Sequence, residues 1–211
     1  MADALGEFCA AHPEVEVVVR EAGSGELREE LAQGGLDLAL TVTRERTRLD
    51  PALESAPLFT EELVVASSVA VPPAALRDVD PAAGLTLAAL ARVPQVVFNR
   101  GYDLRRATDA AYEAAGLSPR VAVEGAEMDA VLRFVERGIG VAVVPTTILL
   151  GRPGLRGTTL RRPSLTRTVE LTRRAGVRPS RASAELERVL RDVVARLLHA
   201  GRGAGRHLRP A

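Results

Sequence analysis

Asn99, Arg100, Gly101, Tyr102 and Arg105 form the densest polar cluster in the chain, immediately after a short apolar run. A guanidinium placed there can grip a carboxylate through two parallel N–H bonds. The same arginines can instead be solvated surface charges paired with Asp103 or Asp109. Glu127 either recognises an amine or favours the start of the helix that follows it. Ser24 either caps its own helix or offers its hydroxyl to a ligand. Thr41 and Thr43 end an apolar strand, where their hydroxyls can serve a site or simply reflect β-propensity, and only one of the two can face inward. Nothing points to catalysis or to a metal. His12, His199 and His207 are scattered without ligand spacing, and Ser24 lacks the glycine-x-serine-x-glycine elbow. Gly138-Ile139-Gly140 precedes a strand, where a dinucleotide loop would follow one, and it reads as a helix stop. No catalytic residue, metal or cofactor is therefore expected.

These residues need a scaffold, and the pattern of the chain supplies one. Val121–Pro145 reads as strand, turn, amphipathic helix, glycine stop and a second buried strand, which is a β-α-β unit. His12–Val42 has the same grammar: an alternating strand Val15–Arg20, a turn at Gly23-Ser24-Gly25, a helix carrying Leu27 and Leu31, a stop at Gly34-Gly35, and an apolar strand Leu36–Val42. In each unit the crossover should be right-handed and the strands parallel. Ahead of the first unit, Ala2–Ala11 has helical composition and is stopped by His12-Pro13.

Further along, Pro51–Pro57 reads as a loop, Glu61–Ser67 as a strand, and Val69–Ala75 as a connection away from the first unit. Val93–Phe98 reads as a strand, Asp103–Ala115 as a helix ended by Gly116, and Arg120–Glu124 as a strand. Met128, Val131, Leu132 and Val135 form a helical stripe, followed by the all-apolar strand Ile139–Val144. Arg167–Arg173 reads as a return strand, and Ala182–Leu198 as a long helix with Leu186, Val189, Leu190, Val193 and Leu197 at core spacing. Gly201–Ala211 is Gly/Arg-rich without periodicity and reads as a disordered tail.

Open α/β sheets bind ligands beyond the carboxyl ends of their strands, where helix starts present free N–H groups. Four segments occupy such positions: Ala22–Gly25, Thr41–Thr43, Asn99–Asp103 and Gly125–Glu127. Two lobes would bring them together across a cleft. The candidate ligand-binding set is therefore Ser24, Thr41, Thr43, Asn99, Arg100, Gly101, Tyr102, Arg105, Gly125 and Glu127.

Composition narrows the classes. With 211 residues and 46% hydrophobic content, the chain can bury a sizeable core. Its 28 basic and 27 acidic residues are interspersed and leave a net charge of +1, so no broad basic face for nucleic acid is evident. Cys9 is the sole cysteine and cannot form an internal disulfide, as suits a reducing cytoplasm. No secretory signal or membrane span is legible.

In order and spacing, Phe8 with His12-Pro13 and Val15, Leu36–Leu40, Pro57-Leu58 with Glu62-Leu63-Val64, Gly138–Ala142 with Val144-Pro145, and Pro163–Arg167 resemble the effector-binding region of LysR-type transcriptional regulators, from Phe8 to about Val194. The resemblance implies an α/β fold like a type 2 periplasmic binding protein: two Rossmann-like lobes joined by two crossing strands, here Leu63–Ser67 and Arg167–Leu171, with a small effector in the cleft. Lobe I would comprise residues 1–66 and 168–200, lobe II residues 67–167, and the tail 201–211. The winged helix-turn-helix, the linker helix and the first strand of the family have no counterpart here. DNA would thus be reached only through an absent N-terminal domain, and Met1 would be a misplaced start or a truncation. With the first strand missing, two rows of backbone groups should go unpaired, between Val15–Arg20 and Leu36–Val42. The resemblance further implies a homodimer in the full-length form and a metabolite effector, carboxylate-bearing if Arg100 or Arg105 engages it. A solute-binding protein of a transporter shares the architecture and is the alternative.

Overall fold

A computed structural model describes residues 1–43, 50–77, 79–81, 83–199 and 208–211. The chain divides into two compact units, Met1–Thr60 with Arg167–Ala211, and Glu61–Thr166.

Unit 1 starts with α1 (Ala2–Ala11), which buries Ala4 and Phe8, four residues apart on one face, and stops before Pro13. Ala4 packs with Leu58, Leu171, Val189, Leu190 and Val193, the last three from α6 (Arg181–His199). Helix α2 (Ser24–Gln33) buries Leu27 and Leu31 against Ala39 and Leu53, a separate small cluster. Gly34 ends it at φ 83, a left-handed conformation that glycine adopts without steric cost. Strand β1 (Ala39–Thr43) pairs antiparallel with β8 (Thr166–Arg174), with Thr41 opposite Glu170. The first part of β2 (Leu53–Ser68) lies on the other side of β8, and hydroxyl pairs tie the two together: Ser55 to Thr172 at 2.7 Å and Thr60 to Thr168 at 2.9 Å.

Four sequence expectations are corrected in unit 1. Val15–Arg20 is not a strand: Val15 sits in a bend and the run joins no ladder among the described residues, with Val18 82% and Val19 57% exposed. The parallel pair expected of the first β-α-β unit does not form: among the described residues, the one strand beside β1 is β8. Alternating valines supply β-propensity, but a strand also needs a neighbour to accept its N–H groups. The expected loop Pro51–Pro57 is instead strand from Leu53 onward: Pro51 precedes the strand, Pro57 is accommodated within it, and Leu53 and Leu58 are buried on either side of that proline. At the C-terminus, Leu208–Pro210 form a short strand, β9, paired with β2, where a tail without structure was expected; residues 201–207 lie outside those described.

Unit 2 closes the grammar that unit 1 leaves open. Strand β4 (Gln95–Phe98) pairs in parallel with β5 (Val121–Gly125) on one edge. On its other edge it meets the run into β6 (Ala142–Pro145): Gln95 and Val141 form a parallel bridge, Val96 donates its N–H to the Val141 carbonyl at 2.8 Å, and Val141 donates to Pro94 at 2.9 Å. Strand β6 then pairs antiparallel with the second part of β2, which also pairs with β7 (Leu155–Arg161), and β7 pairs with β3 (Leu85–Thr86). A four-residue helix, α3 (Leu87–Leu90), follows β3 and is capped by the Thr86 hydroxyl, which accepts from Ala89 N. Helices α4 (Asp103–Ala114) and α5 (Met128–Glu136) cover the sheet, and Leu104, Tyr112, Val131, Leu132 and Val135 join Leu63–Ala66, Val96, Phe98 and Val141–Val144 in one continuous core. The approach of β6 to β4 requires Gly140, where a Cβ would stand 2.6 Å from the Pro94 carbonyl oxygen.

Candidate functional site

Because β4, β5 and β6 run parallel, their carboxyl ends fall on one edge of the unit 2 sheet. Asn99–Tyr102 leave β4 there, Gly125–Glu127 leave β5, and Thr146 and Thr147 follow β6. The first two loops are tied together, with Asn99 N donating to the Gly125 carbonyl at 3.0 Å. The Asn99 side chain accepts from Gly101 N at 3.0 Å, a local turn that presents Arg100 at the tip, and Tyr102 stacks on Phe98 with ring centroids 4.7 Å apart. Helices α4 and α5 both begin at this edge, at Tyr102 and Glu127, and neither has a side chain capping it. Their first N–H groups and the positive ends of their dipoles therefore face the loops, the arrangement that favours an anion.

The two candidate arginines differ. Arg105 is buried; its Nε donates to both carboxylate oxygens of Asp109 at 2.8 Å, while Nη1 donates to the Phe98 carbonyl at 2.9 Å and to Glu124 at 3.1 Å. Burial works against its charge, but Asp109 and Glu124 outweigh it and raise the guanidinium above its ordinary value. Arg105 thus braces β4, β5 and α4. Arg100 is exposed and makes no side-chain ion pair among the described residues. Glu127 is exposed at the start of α5, and Gly125 is buried, held to glycine because a Cβ would meet Val131 Cγ2 at 2.8 Å.

In unit 1, Ser24 begins α2 without capping it. Its Oγ instead accepts from Val42 N at 3.0 Å, which leaves its own proton to donate. Of the two threonines, Thr41 is 0% exposed and bonds to the Thr172 hydroxyl at 2.7 Å inside the sheet. Thr43 is half-buried, donates to Glu170 at 2.8 Å and lies 3.4 Å from Arg28 Nη2. Two residues apart on β1, they project from the same face of the sheet, contrary to the expectation that only one could face inward, and they differ in depth, Thr41 being enclosed and Thr43 standing at the strand's end.

Sequence reasoning missed Glu61. Its side chain is 0% exposed and accepts from both the backbone N and the hydroxyl of Thr147, at 3.0 and 2.8 Å, so a buried acidic side chain occupies the carboxyl end of β6. Thr146 beside it donates to the Glu62 carbonyl at 3.0 Å. The available signal was a glutamate just before the run Leu63–Ala66, all of which is buried. Among the described residues, no three His, Cys, Asp or Glu side chains come together as a metal site, and no helix is long and apolar enough to cross a membrane.

A doubly covered sheet with two uncapped helix starts on its carboxyl edge defines a small-ligand binding domain, and comparison with known proteins gives its family. Residues 1–195 match the LysR substrate binding domain, and the chain belongs to that family. It is 29% identical over 146 residues to the HTH-type transcriptional regulator YybE of Bacillus subtilis, a match that takes in 68% of this chain and 46% of YybE. The chain thus spans about half the length of such curated relatives. Among solved structures, it is similar to the C-terminal domain of a probable LysR family transcriptional regulator from Rhodococcus sp. RHA1, with 25% identity, TM-score 0.71, and 90% and 91% of the two chains covered. It also shares the fold of the CcmR regulatory domain of Synechocystis PCC6803, solved in complex with 2-PG, with 20% identity, TM-score 0.72, and 92% and 90% covered. The fold is accordingly the type 2 periplasmic-binding-protein-like fold of LysR effector-binding domains.

Proposed function

We propose that this domain senses a small anionic metabolite for a LysR-type transcriptional regulator, and that the carboxyl edge of β4 and β5 is where the anion is held. The observation that carries this reading is the pair of uncapped helix starts beside the unpaired guanidinium of Arg100. Asn99, Gly101, Tyr102, Gly125 and Glu127 shape that edge. Within unit 2, Arg105 holds the framework behind that edge; within unit 1, Ser24 and Thr43 are candidate ligand contacts of their own and Thr41 holds the sheet beneath them. A carboxylate suits the site better than an amine, because N–H donors and a positive charge converge there while Glu127 points to solvent. Binding would act by favouring one conformation of the regulator over another. DNA contact and homodimer formation would belong to the longer protein, in the cytoplasm, and no chemical transformation of the ligand is implied. That the matched relatives are regulators favours this over the solute-binding alternative.

The test is a thermal-shift screen of the chain against small carboxylic acids. Arg100→Ala should abolish the shift given by a binding acid and leave the unliganded Tm unchanged. Arg105→Ala should lower the unliganded Tm, because Asp109, Glu124 and the Phe98 carbonyl lose their shared partner, at about 2 kcal/mol for charge-assisted bonds of this kind. An Arg100→Ala variant that keeps the full shift refutes the carboxylate assignment.

A further inference from the structure

β4, β5 and β6 all end on the carboxyl edge of the unit 2 sheet, and they leave it differently. Neighbouring strands there run in the order β5, β4, β6, β2. After β4 and β5, the first N–H groups of α4 and α5 have no capping side chain, and Arg100 stands at the tip of the turn that leads into α4. After β6, the donors are already spent. Thr147 gives both its backbone N–H and its hydroxyl to the Glu61 side chain, at 3.0 and 2.8 Å, and Thr146 gives its hydroxyl to the Glu62 carbonyl at 3.0 Å. The register of β2 on β6 fixes this arrangement: Leu63 lies opposite Pro145, which brings Glu61 opposite Thr147 just past the end of β6. Among the described residues, Glu61 is the one acidic side chain that is buried, at 0% exposure, and Thr146 beside it is 2% exposed.

We propose that Glu61 determines specificity: by consuming the donors at the end of β6 it limits this edge to one carboxylate, so that the effector is a monocarboxylic acid whose other end is uncharged. This rests on the anion site proposed above. Adjacent strands lie about 4.8 Å apart, so the ends of β4 and β6 are within the span of a short diacid. A second carboxylate reaching from the β4 end toward β6 would lose its water and meet the oxygens of Glu61 and of the Glu62 carbonyl, while the donors of Thr146 and Thr147 are engaged. A carboxylate desolvated without donors is strongly disfavoured. Selectivity then comes from the polar group that goes unpaired in the wrong ligand, as much as from contacts made to the right one.

The experiment compares pentanoate with glutarate, its counterpart carrying a carboxylate at both ends, on the 211-residue chain. Kd values from ligand-induced Tm shifts should favour pentanoate by at least about tenfold in the wild type. Glu61→Ala releases the N–H and hydroxyl of Thr147, and should tighten glutarate at least about tenfold while leaving pentanoate within about twofold. Glu61→Gln keeps an oxygen for Thr147 and should retain the wild-type preference. Equal Kd values for the two acids in the wild type overturn the proposal without recourse to any variant, as does glutarate binding that Glu61→Ala leaves unchanged. A Glu61→Gln variant that admits glutarate as Glu61→Ala does assigns the exclusion to charge and overturns the role of the donors. Absence of any shift from either acid in every one of these proteins is a different result: it overturns the anion site itself, and the preference with it.

Discussion

In unit 2, the strand that follows α5 settles between two neighbours, β4 and β2, whereas in unit 1 the strand that follows α2 pairs, among the described residues, with β8 alone. Both segments come from the same pattern of strand, helix, glycine stop and apolar strand. The difference lies in what each sheet offers on the far edge. Unit 2 buries its helices and strands in one continuous core, while unit 1 splits its apolar residues into two small clusters on opposite faces of a sheet. Local pattern therefore specifies an element, but a strand persists only where a partner accepts its backbone groups.

Truncating one leucine in each core tests that contrast most sharply. Leu132 and Leu31 are both fully buried, but Leu132 sits in the continuous core and Leu31 in a cluster of a few residues. Leu132→Ala should cost about 4 kcal/mol and Leu31→Ala about 2, because a small cluster beside an open edge relaxes around the void. Urea denaturation of the two variants measures both. Equal costs would mean that unit 1 is as tightly packed as unit 2.

Alkaline pH should reverse the order of the two units. Both tyrosines lie in unit 2, and the buried hydroxyl of Tyr112 exchanges hydrogen bonds with Gln95. Burial pushes its pKa up to about 12, against the smaller opposing effect of Gln95. A folded-state pKa above the unfolded value of 10 means that the native state holds the proton more tightly. The associated stability is present below pH 10 and is lost as pH rises toward 12, a total of about 2–3 kcal/mol. Melting curves from pH 9 to 12, with Tyr112→Phe as the reference that lacks this titration, should show the wild type losing that increment. Parallel curves for the two proteins would contradict it.

How far these properties could be read from residues alone varies along the chain. Helices α1, α2, α4, α5 and α6, the Gly34 and Gly138 stops and the strands β4, β5 and β6 were legible, since periodicity and glycine punctuation are local signals. The pairing of Leu53–Pro57 was not, because two prolines outweigh the apolar residues in any local reading. Nor were β3, α3 and β7, which are short or carry mixed residues, and whose stability comes from neighbours distant in sequence. In the candidate site, Asn99–Tyr102 and Gly125–Glu127 could be placed at strand ends, and the structure ties them together. The separation of Arg100 from Arg105 could not be foreseen. Position i to i+4 predicts Arg105–Asp109, but the Phe98 carbonyl and Glu124 come from other strands. Glu61 escaped notice for the same reason: its partner, Thr147, lies 86 residues away.

The smallest effect is also the one most specific to the open edge. Val18 and Val96 are both β-branched residues in a segment that leads into a helix, but Val18 is 82% exposed and Val96 is buried between β5 and β6. Val18→Lys should change the stability of the chain by less than about 0.5 kcal/mol, the range of surface substitutions with no partner. The same change at Val96 would bury an unpaired charge and prevent folding. A measurable penalty at position 18 would show that this segment is already packed, and that the two units are more alike than their hydrogen bonds indicate.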